Sequence, residues 1–170
     1  MRKVANWTPD RLSSLAGKRY LITGGNSGIG LEAATILARK GADIVIACRN
    51  PAKAEFAVKA IDEVGEGAVE SVALDLSSLA SVRDAAADIQ SRFDGLNGLV
   101  NTAGIMQTPD TRTEDGFELQ LGTNHLGHFL LTYLLLGLVE AREGRVTVVS
   151  SIAHKLGRMD FEDLMSERSY

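Results

Sequence analysis

Cysteine is almost absent from this chain of 170 residues: Cys48 stands alone, so no internal disulfide can form and the fold must hold by packing and hydrogen bonding. A reducing, cytoplasmic setting suits such a chain. No long basic run occurs and the net charge is −4, which argues against a nucleic-acid partner. Long apolar segments are missing too. The longest, Phe129 to Val139, is far short of the roughly 20 residues a membrane helix needs, and a buried helix is the better reading. No secretory signal is visible: Met1-Arg2-Lys3 is basic, but Asn6-Trp7-Thr8-Pro9-Asp10 follows in place of an apolar stretch. Internal repeats and low-complexity tracts are also lacking. What remains is 45% apolar and 24% charged, enough to bury the core of one globular domain.

Short apolar runs alternate with helical patterns along the chain. Strands are expected at about Arg19–Thr23, Asp43–Cys48, Val69–Leu74, Gly98–Asn101 and Arg145–Ser150. Helices are expected over Gly28–Lys40, Ala52–Val64 after Pro51, Leu79–Phe93 and Phe117–Glu140. Near-continuous apolar strands separated by helices predict an α/β fold, a parallel sheet covered on both faces. Right-handed crossovers make it doubly wound, with ligands at the C-terminal ends of the strands beside the switch point.

The polar motifs follow those strand ends. Thr23-Gly24-Gly25-Asn26-Ser27-Gly28-Ile29-Gly30 joins the first strand to the first helix. A glycine-rich turn there leaves the first helical N–H groups unpaired, and with the helix dipole they seat a pyrophosphate. Gly24 permits the turn, Gly28 admits the phosphate and Gly30 lets helix and strand pack closely. The spacing is Gly-x-x-x-Gly-x-Gly, and no Gly-Lys-Ser/Thr follows, so it is not a Walker A loop. The second strand ends in Cys48-Arg49, where an NAD-preferring site would place a carboxylate for the ribose. A guanidinium there favours a 2′-phosphate, which predicts NADP(H) over NAD(H), with Lys53 as a further cation. Asp75-Leu76 ends the third strand, where a carboxylate can accept from the adenine amino group, or else face the following helix dipole. Asn101-Thr102-Ala103-Gly104 ends the fourth, Asn124-His125-Leu126-Gly127-His128-Phe129 lies in the long helix, and Ser150-Ser151 ends the fifth.

Taken together, these residues resemble the short-chain dehydrogenase/reductase family. The match is Thr23-Gly24-x-x-x-Gly28-Ile29-Gly30, Asp75, Asn101-x-Ala103-Gly104, Asn124 and Ser151, from about Lys18 to Ser151. Asn-His-x-Gly-His-Phe and Ser-Ser-x-Ala-His resemble the branch containing retinol dehydrogenases, WW-domain oxidoreductases and protochlorophyllide reductases, many of which use NADP(H). The resemblance implies a Rossmann-type sheet of about five strands in the order 3-2-1-4-5, with the family's C-terminal strands missing. It divides the chain into an N-terminal extension, residues 1–17, and a dinucleotide-binding domain, residues 18–170. It implies that Ser151 bonds the substrate carbonyl oxygen and that Asn124 holds a water in a proton relay. Thr23, Gly24, Asn26, Ser27, Gly28, Ile29 and Gly30 would cradle the phosphates. Arg49 would meet the 2′-phosphate, Asp75 and Leu76 the adenine, and Asn101, Ala103 and Gly104 the ribose region. The reaction implied is hydride transfer between nicotinamide and a small alcohol or carbonyl substrate. Thr102 stands where the family more often has asparagine.

The family's acid, a tyrosine with a lysine four residues on, has no counterpart: no Tyr-x-x-x-Lys follows Ser151. Tyr170 reads as a surface aromatic within an insertion typified by Asp160-Phe161-Glu162-Asp163-Leu164. A chain ending there leaves the fifth strand as an edge, with Val146 and Val148 open to stray pairing. Two functions stay open: an oxidoreductase seen as an N-terminal portion, which could form a homo-oligomer at full length, or a non-catalytic dinucleotide-binding module. A Rossmann-like methyltransferase is far behind, having no use for Asn124 with Ser151. His125 and His128 have no third ligand nearby and no metal site is expected. Cys48 reads as a small apolar filler.

Overall fold

The computed structural model describes residues 7–155 and 157–168. Five strands, β1 (Arg19–Thr23), β2 (Asp43–Cys48), β3 (Val69–Ala73), β4 (Gly98–Asn101) and β5 (Arg145–Val148), form one sheet in the order β3-β2-β1-β4-β5. Every neighbouring pair is parallel: Ile22 of β1 faces Ile46 of β2 on one side and Val100 of β4 on the other. This is the Rossmann-type order expected. It reverses direction at β1, so the crevice between the C-terminal ends of β1 and β4 is where a ligand can enter.

Alternation along the strands sends side chains into two cores. Leu21, Val45, Val72 and Leu99 join Val82, Ala85 and Ile89 of α3 (Leu79–Arg92) and Leu131, Leu135 and Val139 of α5 (Gly127–Glu140). Ile22, Ile44 and Ile46 point the other way, to Ala34 and Ala38 of α1 (Gly28–Ala38) and Ala57 and Ile61 of α2 (Pro51–Asp62). Small alanines on α1 and α2 let these helices lie close to the sheet. Side chains cap both α2 and α3: Asn50, just before Pro51, accepts from the Lys53 amide, and Ser78 accepts from the Ser81 amide. The stretch before β1 is joined to the domain, since Leu15 is buried in the second core and its amide donates to Lys40 O at 2.7 Å.

The segment expected as one helix over Phe117–Glu140 is helical from Leu119 to Glu140, with a π turn inside it. A single turn, α4 (Leu119–Leu121), runs into the π turn over Gly122–Leu126, and α5 begins at Gly127. Glycines at both ends of the π turn make close contacts. A side chain at Gly122 would lie 2.5 Å from Thr113 Cγ2, and one at Gly127 would lie 2.3 Å from Leu76 O. The helix passes so close to the β3–α3 loop that only glycine fits. The fifth strand is also shorter than expected and all four of its residues are exposed, with Val148 at 65%. Tyr170 lies outside the described residues.

Two glycines of α5 should respond in opposite directions. Gly127→Ala pushes a methyl group into the Leu76 carbonyl and should cost about 1–3 kcal/mol. Gly137→Ala, with nothing within 4 Å of the new atom, should gain roughly 0.5–1 kcal/mol. Urea unfolding of the two variants beside the parent chain checks the pair.

Candidate active site

The β1–α1 turn forms the floor of the crevice. Gly24 has φ +67, a left-handed conformation, and a Cβ there would come within 3.0 Å of Ala103 Cα. At Gly30 the same atom would lie 2.5 Å from Gly24 O, so α1 rests directly on the turn that precedes it. A Cβ added at Gly28, which has φ +52, would meet nothing within 4 Å, so the backbone is open on that side. The N-cap Ser27 makes no side-chain cap hydrogen bond and the first turn of α1 has no acidic residue. Those N–H groups and the positive helix end therefore face the crevice without a side chain to satisfy them, the condition for binding an anion.

From this turn a cleft of about 330 Å³ runs across the strand ends, lined by Gly24, Asn26, Ser27, Ile29, Gly30, Cys48, Arg49, Asp75, Leu76, Ala103 and Gly104 among others. A second cavity of about 560 Å³ shares Ile29, Ala103 and Gly104 with it and adds Asn101, Asn124, His128 and the segment Val148–Ile152, including Ser151. All but two of the expected cofactor residues, and both expected catalytic residues, thus line one continuous crevice from the end of β2 to the end of β5. The two outside its lining are Thr23 and Gly28.

Thr23 lies beneath it. It is fully buried, and its hydroxyl oxygen accepts from the amides of Thr102 at 2.9 Å and Ala103 at 3.1 Å, so it ties β1 to β4 and does not face a phosphate. Arg49 and Asp75, expected at the two ends of an adenosine, are paired with each other across the cleft mouth at 3.7 Å. Asp75 Oδ1 also accepts from the amide and hydroxyl of Ser77, which fixes the carboxylate. The helix after it is capped by Ser78, so Asp75 is not that helix's N-cap. Cys48 is buried at the strand end, and burial raises its thiol pKa.

Asn101 is 3% exposed; its amide nitrogen donates to Thr132 Oγ1 at 2.9 Å while its Oδ1 has no protein partner. Asn124 stands in the π turn and clamps the loop after β4 from both sides. Its Oδ1 accepts from the Ile105 amide and its Nδ2 donates to Ile105 O, each at 2.8 Å. Each side of the amide makes one hydrogen bond to the loop and keeps a second acceptor or donor position. Ser151 is exposed on the loop after β5, with its hydroxyl oxygen accepting from the Ala153 amide at 3.1 Å.

Two residues escape a reading of motifs. Thr123 lines the cleft, is 8% exposed, and has a hydroxyl oxygen without a protein partner. His128 is buried and joins Thr23 to the π turn. No spacing marks Thr123. His128 stands in the Asn-His-x-Gly-His-Phe motif without a role of its own, as half of a histidine pair whose other member, His125, lies tilted beside Phe129 with ring centroids 6.3 Å apart. A buried hydroxyl left unbonded inside a cleft costs stability unless a ligand or water satisfies it. With the uncapped α1 and the open Gly28, it fits a polar, anionic cofactor such as a dinucleotide.

Known proteins agree with this geometry. The family model of short chain dehydrogenases matches residues 18–162. Human retinol dehydrogenase 13 is 46% identical over 154 residues, covering 89% of this chain and 46% of its own length. Mouse retinol dehydrogenase 14 is 45% identical over 166 residues, covering 91% of this chain and 50% of its own. The chain therefore spans about half the length of these curated relatives. Among solved structures, an uncharacterised protein from Mycobacterium Paratuberculosis superposes with a TM-score of 0.84 at 44% identity, covering 96% of this chain and 57% of that one. The Pseudomonas aeruginosa RhlG/NADP active-site complex superposes with a TM-score of 0.66 at 29% identity, over 76% of this chain and 50% of that one. The chain belongs to the short-chain dehydrogenase family.

Thr123→Val removes the unpartnered hydroxyl while keeping the shape. Stability without cofactor should hold or rise by up to about 1 kcal/mol, and affinity for the dinucleotide should fall several-fold. Urea unfolding and a dinucleotide titration of the same preparation separate the two effects.

Proposed function

We propose that this chain supplies the cofactor half of an NADP(H)-dependent oxidoreductase that moves a hydride between nicotinamide and an alcohol or carbonyl carbon. The observation that carries the reading is the cleft itself: an uncapped helix N-terminus behind an open glycine, with Arg49 at the rim where β2 ends. The relatives named as retinol dehydrogenases support an alcohol or aldehyde of apolar character as substrate. The NADP complex of a neighbour with the same fold supports the phosphorylated cofactor.

The nicotinamide cofactor, when bound, supplies or accepts the hydride. The chain's own residues do the rest. The α1 amides from Gly28 to Gly30 would hold the pyrophosphate and offset its charge, and Arg49 would offer a 2′-phosphate charge-assisted hydrogen bonds in place of its pair with Asp75. Asp75, fixed by Ser77, keeps an acceptor at the adenine end. Asn124 holds the Gly104–Ile105 loop along the second cavity. Ser151 donates its hydroxyl to the carbonyl oxygen, stabilising negative charge that grows there as the hydride moves. A lone buried thiol suits a reducing, cytoplasmic compartment.

A second reading is a dinucleotide-binding module without turnover. It needs only the cleft at the glycine turn and makes no use of Ser151.

Titration with NADPH and NADH, followed by an activity assay, separates the two readings. NADPH should bind at least tenfold more tightly than NADH. Arg49→Ala should weaken NADPH by roughly 10- to 100-fold, the loss of one or two charge-assisted hydrogen bonds, and leave NADH nearly unchanged. Equal affinities in the parent chain would remove the NADP preference. Binding without turnover of any alcohol or aldehyde would leave the module.

A further inference from the structure

His128 occupies the junction of three parts of the site. It is 6% exposed at the start of α5, one turn after Asn124. Its Nε2 lies 2.9 Å from Thr23 Oγ1, and its Nδ1 lies 2.9 Å from Asn124 O. The partners decide the tautomer. A backbone carbonyl can only accept, so Nδ1 must carry a hydrogen. The Thr23 oxygen already accepts from two amides, Thr102 and Ala103, which uses both lone pairs. It has only its own hydrogen left to offer. Val100 O, the alternative acceptor, is 3.5 Å away, so the hydrogen goes to Nε2. A proton on Nε2 would bring a third donor to an oxygen with no lone pair to spare. Burial, the largest influence on this ring, lowers its pKa in the same sense.

We propose that His128 is a positioning residue: a neutral imidazole, protonated at Nδ1, that locks the end of β1 and the loop after β4 to the π turn carrying Asn124. Through Thr23 it holds the strand that enters the glycine turn. Through the Thr102 and Ala103 amides, which share Thr23 with it, it holds the wall common to both cavities. Through the Asn124 carbonyl it fixes the π turn whose side chain clamps Ile105. One ring thus sets the spacing between the phosphate end of the crevice and the cavity beside Ser151. The link between this spacing and cofactor affinity rests on the dinucleotide reading above; the tautomer and its hydrogen bonds do not.

Variants can divide the two halves of the ring's work. His128→Gln can place an amide oxygen where Nε2 accepts from Thr23, and His128→Asn can place an amide nitrogen where Nδ1 donates to Asn124. NADPH affinity should fall about tenfold in His128→Ala and in His128→Asn, and return to within about threefold of the parent in His128→Gln. Thr23→Val should match His128→Ala, and the double variant should be no weaker than either, as for two residues of one network. Thermal unfolding shows whether each variant is folded at the titration temperature. In parallel, NMR of the parent protein with 15N-labelled histidine should show His128 at neutral pH with hydrogen on Nδ1 and none on Nε2. An Nε2-protonated or charged ring overturns the proposal, as does unchanged NADPH affinity in folded His128→Ala or equal loss in the alanine and glutamine variants. If the parent binds neither NADPH nor NADH, the dinucleotide reading fails, and the NMR assignment alone then decides the hydrogen-bond lock.

Discussion

The hydroxyl of Thr23 is the point from which the crevice hangs. It lies at the last position of β1, where the strand order reverses, and it meets two amides from the loop after β4 and one ring nitrogen from α5. Parallel strands cannot share a hairpin, so nothing in the chain's connectivity holds the ends of β1 and β4 at a set distance. The ladder pairs them as far as Ile22 with Val100, and beyond it the Thr23 hydroxyl holds the loop after β4. Gly24 follows immediately and can turn under Ala103 only because neither residue carries more bulk than the gap allows. The width of the cleft, the approach of α1 and the course of the Gly104–Ile105 loop all depend on that contact.

The π turn inside the long helix is a second feature that close packing surrounds. Gly127 passes against the Leu76 carbonyl, and the π turn before it brings Asn124 to Ile105 and Thr123 to the cleft. A regular helix would rotate these residues away from their present partners, because each extra residue in a turn rotates the rest of the helix by about 100°. The irregularity is thus what delivers two polar side chains to the site.

The two ends of the crevice differ in how finished they are. At the β2–β3 end, Arg49 and Asp75 hold each other as an exposed pair, which is worth little and so leaves Arg49 free to turn toward an anionic ligand. At the β5 end, the strand is exposed along its whole length, and Ser151 stands on an open loop with Ile152 at 77% exposure beside it. Hydride and proton transfer call for a site from which water is excluded. Among the described residues, the cavity at the β5 end is lined by the loop after β4, the π turn, His128 and the exposed segment Val148–Ile152.

Much of the fold was legible from residue pattern alone. The alternation of strand and helix, the glycine turn at 24–30 and the polar residues closing each strand led to a doubly wound parallel sheet with the site at its C-terminal strand ends; the order 3-2-1-4-5 came from the family resemblance. The pattern signals are local: a period of two or of 3.6, or a glycine where a turn needs it. Leu15 in the core, the π turn after Leu121, the pairing of Arg49 with Asp75, the empty valence of Thr123 and the Thr23–His128 contact were not legible. Thr23 and His128 are 105 positions apart, and no periodicity links them. Composition and spacing determined which elements form and where their polar ends fall. Only the tertiary structure decided which of those ends touch, because that depends on how closely two surfaces pack and which hydrogen-bonding groups are left without water.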